Sequence, residues 1–162
     1  MPSSDLLIVK DKVQRFAKQF FDVIQIDDDG DLRIQYDSTH IVIQTLESEV
    51  SDPEIINFRK ENDISKTFVN LYAYVLLKVK TSPELYKWVA TEGQEFDYGN
   101  FKVLINPENS QECQIQFGYS LAGDTLDPGE LKNALACVAF VANSQDDILQ
   151  KQFGGKRAVD FK

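Results

Sequence analysis

An alternation of apolar and polar side chains in the middle of the 162-residue chain restricts the fold more than any other feature. The apolar row is Val69, Leu71, Ala73, Val75, Leu77 and Val79, and the opposite row is Asn70, Tyr72, Tyr74, Leu76, Lys78 and Lys80. Because side chains of a β-strand point alternately to the two faces of a sheet, this period of two predicts a long strand with one buried face. The buried face needs a cover, and the other face stays largely polar.

Shorter segments on both sides supply the covering helices and the neighbouring strands. Apolar residues recur every three or four positions from Leu6 to Phe20, which predicts an amphipathic helix with Ser3 or Ser4 as its N-cap. The run Asp127-Pro128-Gly129-Glu130 predicts the start of a long helix that ends near Phe153, before two glycines. A short helix is predicted after Pro83, and strands are predicted at 23–27, 32–37, 40–46, 101–105 and 115–121.

This order of elements predicts an α+β fold with a single antiparallel sheet and helices packed on one face. One domain is expected over residues 1–155. Within it, residues 47–66 lose the periodic pattern and are expected to form an exposed insertion loop, with one short helix beginning at Pro53. Residues 156–162 are expected to be a C-terminal tail.

The charge of the chain excludes several classes of partner. It carries 17 Lys and Arg against 26 Asp and Glu, a formal net charge of −9. Nucleic acids and anionic membranes both need basic surface, so neither is an expected partner. Two cysteines are too few for a disulfide scaffold, and the sequence has no apolar run long enough for a bilayer and no signal-peptide pattern. We therefore expect a cytoplasmic protein.

The residues that catalysis or metal binding requires are not arranged for either. His40 is the one histidine, and no pair of cysteines or histidines has the spacing of a zinc site. The acidic run Asp27–Asp31 resembles a calcium loop, but an EF-hand with Gly30 at its sixth position would need acids where Gln25 and Tyr36 stand. No phosphate-binding glycine motif occurs. We expect no enzymatic activity, no metal and no cofactor.

The polar face of the predicted sheet is the candidate binding surface. Its expected protein-binding residues are Arg33, Gln35, Gln44, Tyr72, Tyr74, Gln114 and Gln116, with Asn70 beside them. Tyrosine rings bury a large area at low entropic cost and keep a hydroxyl for hydrogen bonding, which suits adaptable contacts with other polypeptides. An ordinary solvated sheet face is the alternative interpretation, and a register error of one residue would exchange the two faces.

The second half of the chain resembles a known family. The residues that carry the resemblance are Phe96-Asp97-Tyr98-Gly99-Asn100-Phe101, the strand Gln114–Leu121, the turn Leu126–Leu131 and the end of the long helix, with Asp146-Asp147 and Phe153-Gly154-Gly155. This progression resembles the YbjN family, described as bacterial sensory transduction regulators and similar in fold to type III secretion chaperones. The resemblance is best over residues 67–155 and absent over 47–66. It implies a secretion-chaperone-like fold, binding of protein or peptide segments without catalysis, and a homodimer.

Two functions remain open at this point. The first is a non-enzymatic chaperone-like or regulatory adaptor that binds other polypeptides through the sheet face or a sheet edge, with preference for basic segments. The second is a small-ligand sensor with a pocket between the long C-terminal helix and the sheet, lined by Phe101, Phe117 and Trp88.

Overall fold

The structure, a computed structural model, describes residues 3–160 as four helices and six strands. The helices are α1 (Ser4–Ala17), α2 (Pro53–Glu61), α3 (Pro83–Ala90) and α4 (Pro128–Phe153). The strands are β1 (Gln25–Ile26), β2 (Leu32–Tyr36), β3 (Thr39–Glu47), β4 (Thr67–Lys80), β5 (Asn100–Asn106) and β6 (Asn109–Ala122). Two single-turn 3-10 helices, Glu92–Gln94 and Ala158–Asp160, complete the described chain.

The six strands form one antiparallel sheet in the order β1-β2-β3-β4-β6-β5. The long strand predicted from the alternation is β4, which lies at the centre between β3 and β6. Because β4 pairs on both sides, it fixes which residues of its neighbours share a face.

Helices α1, α3 and α4 cover one face of this sheet. Their buried apolar side chains belong to the same core cluster as Val69, Leu71 and Ala73 of β4. Helix α4 packs on β3, β4 and β6, and α1 packs on α4 and β3. The predicted α+β architecture, a single antiparallel sheet with helices on one face, is therefore confirmed.

Helices α1 and α4 begin where the sequence predicts. At the start of each, a side chain accepts a hydrogen bond from a backbone N–H group that has no partner within the helix. The backbone N–H of Glu130 donates to the Asp127 carboxylate at 2.9 Å, and the Asp127 N–H donates to the Glu130 carboxylate at 3.1 Å. This reciprocal capping box satisfies two N–H groups that the first turn of α4 leaves unpaired. Ser3 caps α1 in the same way, accepting from the N–H of Leu6 at 3.1 Å.

The alternation of β4 fails at its C-terminal end, where the prediction of the two rows is wrong for two leucines. Leu76 was expected on the polar face but is fully buried in the core, whereas Leu77 was expected in the core and is only half-buried. The pairing with β6 shifts register between Tyr74 and Leu76 and again before Val79. Lys78 adopts a positive φ of 53° within this irregular stretch. A β-bulge inserts a residue and so exchanges the faces of those that follow it.

The predicted loop at 47–66 contains helix α2, which begins at Pro53 as expected. No residue of α2 is buried. The base of this excursion is tied to the domain, because the N–H of Ser48 donates to the Lys66 carbonyl at 2.8 Å. On the exit side, the Asp124 carboxylate accepts from the Lys66 N–H at 2.6 Å and from the Thr67 hydroxyl at 2.5 Å.

The first residues after α4 contact the sheet, as far as the structure describes them. We call Gly154–Asp160 the C-terminal strap. The N–H of Leu77 donates to the Lys156 carbonyl at 2.7 Å and the N–H of Lys156 donates back at 2.8 Å, so the strap forms an antiparallel bridge with β4. Residues 161–162 of the predicted tail, like residues 1–2 of the predicted domain, lie outside the described residues.

Candidate functional site

The sheet face opposite α1, α3 and α4 carries all the residues predicted to bind protein, and we call it the open face. Register places them on it in three rows across the strands. Arg33 lies opposite Val42, which lies opposite Tyr72. Gln44 lies opposite Asn70, and Tyr74 lies opposite Gln116. Gln35 and Gln114 fall on the same face by the alternation of β2 and β6.

Three adjoining depressions shape the open face. The first, of about 650 Å³, is lined by Arg33, Gln35 and Tyr74 among others. The second, of about 360 Å³, includes Leu77 and Gln114. The third, of about 350 Å³, is lined by five of the predicted residues and by Asn70; the five are Gln44, Tyr72, Tyr74, Gln114 and Gln116. The depressions share lining residues: Tyr74 lines both the first and the third, and Leu77 lines both the first and the second. The predicted residues therefore form one continuous surface.

Tyr72 and Tyr74 form the aromatic centre of this surface. Their rings meet edge to face, with centroids 5.7 Å apart and an interplanar angle of 86°. Both side chains are half-buried. Burial, together with the neighbouring Tyr74, raises the pKa of Tyr72 to about 12. The Tyr72 phenol is therefore an uncharged donor and acceptor at neutral pH. The rings of both tyrosines keep surface free to contact a ligand.

Gly118 of β6 lies between Tyr72 of β4 and Asn100 of β5. It pairs with Tyr72 on one side and with Asn100 on the other. A Cβ atom at this position would lie 3.3 Å from the Tyr72 Cβ and 3.1 Å from the Leu71 carbonyl oxygen. Gly118 and Tyr72 both line the third depression, and the absence of a side chain at Gly118 leaves more of it open.

Val42 is an open-face residue that the sequence interpretation missed. Its side chain is 1% exposed, yet it does not belong to the core cluster beneath the helices. It lies between Arg33 and Tyr72 on the open face and contributes to the first depression. The unbroken apolar run Ile41-Val42-Ile43 was the available signal, because such runs are typical of strands buried on both faces. His40, Lys102 and Leu104 also line the depressions and were not predicted to do so.

One ion pair and one buried carboxylate set the charge at the β2 side of the open face. The Arg33 guanidinium donates to the Asp27 carboxylate at 2.9 and 3.1 Å. Desolvation opposes ionisation of Asp27, but hydrogen bonds from the Asp31 N–H and from Arg33 lower its pKa. Asp31 is buried, and this burial raises its pKa even though the Gln44 amide donates to it at 2.9 Å.

Asp27 organises the acidic turn that resembles a calcium loop. Its carboxylate accepts from the N–H groups of Asp29 and Asp31 at 3.1 and 2.9 Å, in addition to the bonds from Arg33. Its oxygens are thus used to close the turn. Within residues 3–160, no group of three or more His, Cys, Asp and Glu side chains is placed to hold a metal ion.

The pocket expected for a small-ligand sensor is filled by its own lining. Trp88, Phe101 and Phe117 are all buried, and the Phe101 ring centroid lies 5.0 Å from Trp88 and 4.9 Å from Phe117. Phe96 and Phe153 pack on the same cluster. These rings form a tightly packed part of the core rather than the wall of a cavity.

Among the helices described over residues 3–160, none combines the length and the apolar character that crossing a bilayer requires.

Comparisons with known proteins identify the family and the fold of the chain. The sequence model of the family described as "TY-Chap1: T3SS (YopN, CesT) and YbjN peptide-binding chaperone 1" matches residues 8–161. No curated protein sequence matches the chain. A chain of the crystal structure of the ExsC–ExsE complex is similar in fold, with a TM-score of 0.55 and 12% identity, covering 86% of this chain and 95% of that one. The chain therefore belongs to the TY-Chap1 family of type III secretion and YbjN peptide-binding chaperones, and its role is non-enzymatic.

Proposed function

We propose that the open face binds an extended segment of a partner polypeptide. The observation that carries this proposal is that all seven predicted residues line adjoining depressions on the one sheet face that α1, α3 and α4 leave uncovered. The family supplies the ligand class, because its members are described as peptide-binding chaperones.

The chemistry of the face suits a main chain better than one particular side chain. Glutamine and asparagine amides donate and accept hydrogen bonds, so they can pair with either group of a peptide unit. The rings of Tyr72 and Tyr74 offer apolar area to a side chain on either side of such a unit. Edge strand β5 is a second route, since Leu104 and Ile105 are exposed there and an extended peptide can add to a sheet edge.

The finer properties of the partner follow from charge and exposure. The net charge of −9 favours partner segments that carry basic residues, with binding that weakens as salt is added. A homodimer is part of the proposal, supported by exposed apolar residues on the outer side of α4, Phe140 and Ile148. The same face suits a regulatory adaptor that withholds its bound segment from other proteins. Its place in this proposal is the reducing cytoplasm, where Cys113 and Cys137 stay unpaired.

A peptide selection with matched tyrosine variants tests the proposal. The full-length protein is used to select binders from a displayed library of random 15-residue peptides, and the affinity of synthetic copies is measured by fluorescence anisotropy. Replacing Tyr72 and Tyr74 together by alanine is expected to weaken binding at least about tenfold, because truncating buried aromatic contacts typically costs that much or more. The control replaces Tyr36 and Tyr86, which are exposed elsewhere.

Circular dichroism establishes that both double variants are folded before affinities are compared. Equal affinities for the wild type and the Tyr72/Tyr74 variant would show that peptides bind elsewhere. A selection that yields no binding peptide would contradict the proposal as a whole.

A further inference from the structure

Strand β4 is longer than its neighbour β3, and this difference leaves part of its edge without a strand beside it. The paired positions of β3 and β4 run from Glu47 opposite Thr67 to Ile41 opposite Ala73. Beyond Ala73, β4 continues to Lys80 while β6 pairs along its other side. At Leu77 the place beside β4 is taken by Lys156 of the C-terminal strap, through two main-chain hydrogen bonds of 2.7 and 2.8 Å.

We propose that this edge of β4 at Leu77 is a strand-addition site for an extended polypeptide, and that the strap is an internal occupant which a partner segment displaces. The inference rests on the proposed function, since it names how access to the open face is regulated. The ligand class is the main chain of an extended peptide, because the observed contact at Leu77 is made by main-chain N–H and carbonyl groups on both sides.

The position of the strap couples it to the open face. Ala158 and Leu77 line the first depression together with Arg33 and Tyr74. The 3-10 helix Ala158–Asp160 contacts both β3 and β4. A peptide that enters the first depression and runs along β4 therefore reaches the strap at Leu77 and competes with it for the same two main-chain groups.

We expect the strap to detach from β4 by local opening, without unfolding of the rest of the domain. Its bridge to β4 is isolated from the other strand pairs, and no residue from Lys156 to Asp160 is buried. The Arg157 guanidinium contacts Asp147 at 2.9 Å and Asp160 at 3.3 Å, both at exposed positions. Segments with little buried apolar surface open at far lower free energy than central strands such as the middle of β4.

Two adjacent glycines provide a matched pair of variants that separates displacement of the strap from a general effect on the turn. Gly154 and Gly155 have φ of 74° and 86°, so alanine is strained at both. A Cβ at Gly155 would lie 2.6 Å from a Val79 methyl carbon and 2.8 Å from the Leu77 carbonyl oxygen, whereas a Cβ at Gly154 has no atom within 4 Å. Gly155→Ala is thus expected to release the strap and Gly154→Ala to leave it bound.

The experiment follows the backbone amides of the full-length protein by NMR. In the wild type, the Leu77 and Lys156 amides are expected to exchange with solvent at least about a hundredfold faster than those of Val69 to Ala73, because the strap opens locally. The probe is a synthetic peptide with the sequence of residues 154–160. It is expected to bind at Leu77 of Gly155→Ala with an apparent Kd at least about tenfold lower than for the wild type or Gly154→Ala, where the tethered strap competes at a millimolar effective concentration.

Several outcomes would overturn the inference. The first is an equal apparent Kd of the peptide for Gly155→Ala, Gly154→Ala and the wild type. The second is a variant whose Leu77 amide has lost protection from solvent exchange but which does not bind the peptide. The third is a Leu77 amide that is as protected from exchange in Gly155→Ala as in the wild type. If Gly155→Ala does not fold, Arg157→Ala replaces it, with Arg59→Ala on α2 as the control for the lost charge. The probe is independent of the tyrosine variants, so strap exchange and open-face binding can fail separately.

Discussion

Leu76 and Leu77 are adjacent residues of the same type, and the bulge of β4 gives them opposite environments. Leu76 is fully buried in the core, whereas Leu77 is half-buried between two depressions of the open face. Replacing Leu76 by alanine removes its apolar contacts and leaves a cavity in a close-packed region, which is expected to cost about 3 kcal/mol of unfolding free energy. Replacing Leu77 removes contacts with a partly exposed surface and is expected to cost about 1 kcal/mol or less.

Urea unfolding followed by tryptophan fluorescence measures both values. Trp88 is the one tryptophan, and it is buried against Phe101 and Phe153, so its emission reports on the core directly. The strict alternation of the sequence predicts the opposite order, with Leu77 more costly than Leu76. If the Leu77→Ala variant is destabilised as much as Leu76→Ala, or more, the bulge does not exist as described and the lining of the first two depressions is wrong.

Three further substitutions test individual interactions. The pKa of Tyr72 is raised to about 12, so the folded state favours its neutral form, and the stability that this provides is lost as pH rises from 10 towards 12. The Tyr72→Phe variant should therefore lose less unfolding free energy than the wild type across that pH range, as measured by urea titration. Desolvation opposes ionisation of Asp124, but hydrogen bonds from Thr67 and Lys66 lower its pKa. Asp124→Asn should therefore lose about 1 kcal/mol of unfolding free energy at neutral pH. This difference from the wild type should shrink as pH falls below the ordinary Asp pKa of 3.8. Asp127→Ala removes the capping box of α4 and should cost about 1 kcal/mol, measured by thermal unfolding, with no change in the pH dependence assigned to Asp124.

Elements whose signals are local in sequence could be predicted. The start of α4 depends on Asp127 and Glu130, which lie within one turn of each other and satisfy each other's backbone groups. The face of β4 from Val69 to Ala73 follows from a period of two that holds while both neighbouring strands are regular. The placement of Tyr72 and Tyr74 on the open face follows from the same regular stretch.

Features that depend on distant pairing could not be predicted. The bulge at Leu76 is a mismatch between β4 and β6, and nothing in the local run of apolar residues marks it. The strap is ordered because β3 stops pairing at Ala73 and leaves room at Leu77, a fact that appears only when three segments are brought together. In the sequence, Gly154-Gly155 indicates the end of a helix and carries no signal of the contact between Lys156 and Leu77.

The irregularity of β4 also bears on the function proposed for the molecule. A β4 strand that stayed regular to Lys80 would keep Leu77 in the core, and its main-chain groups would then be offset from those that now meet Lys156. The bulge instead buries Leu76, which stabilises the end of the strand, and places Leu77 between the first two depressions of the open face. The same departure from periodicity that makes the core prediction wrong at Leu76 and Leu77 therefore places the strap beside the open face. We therefore expect the bulge, rather than the regular part of β4, to determine how binding at the face and release of the strap depend on each other.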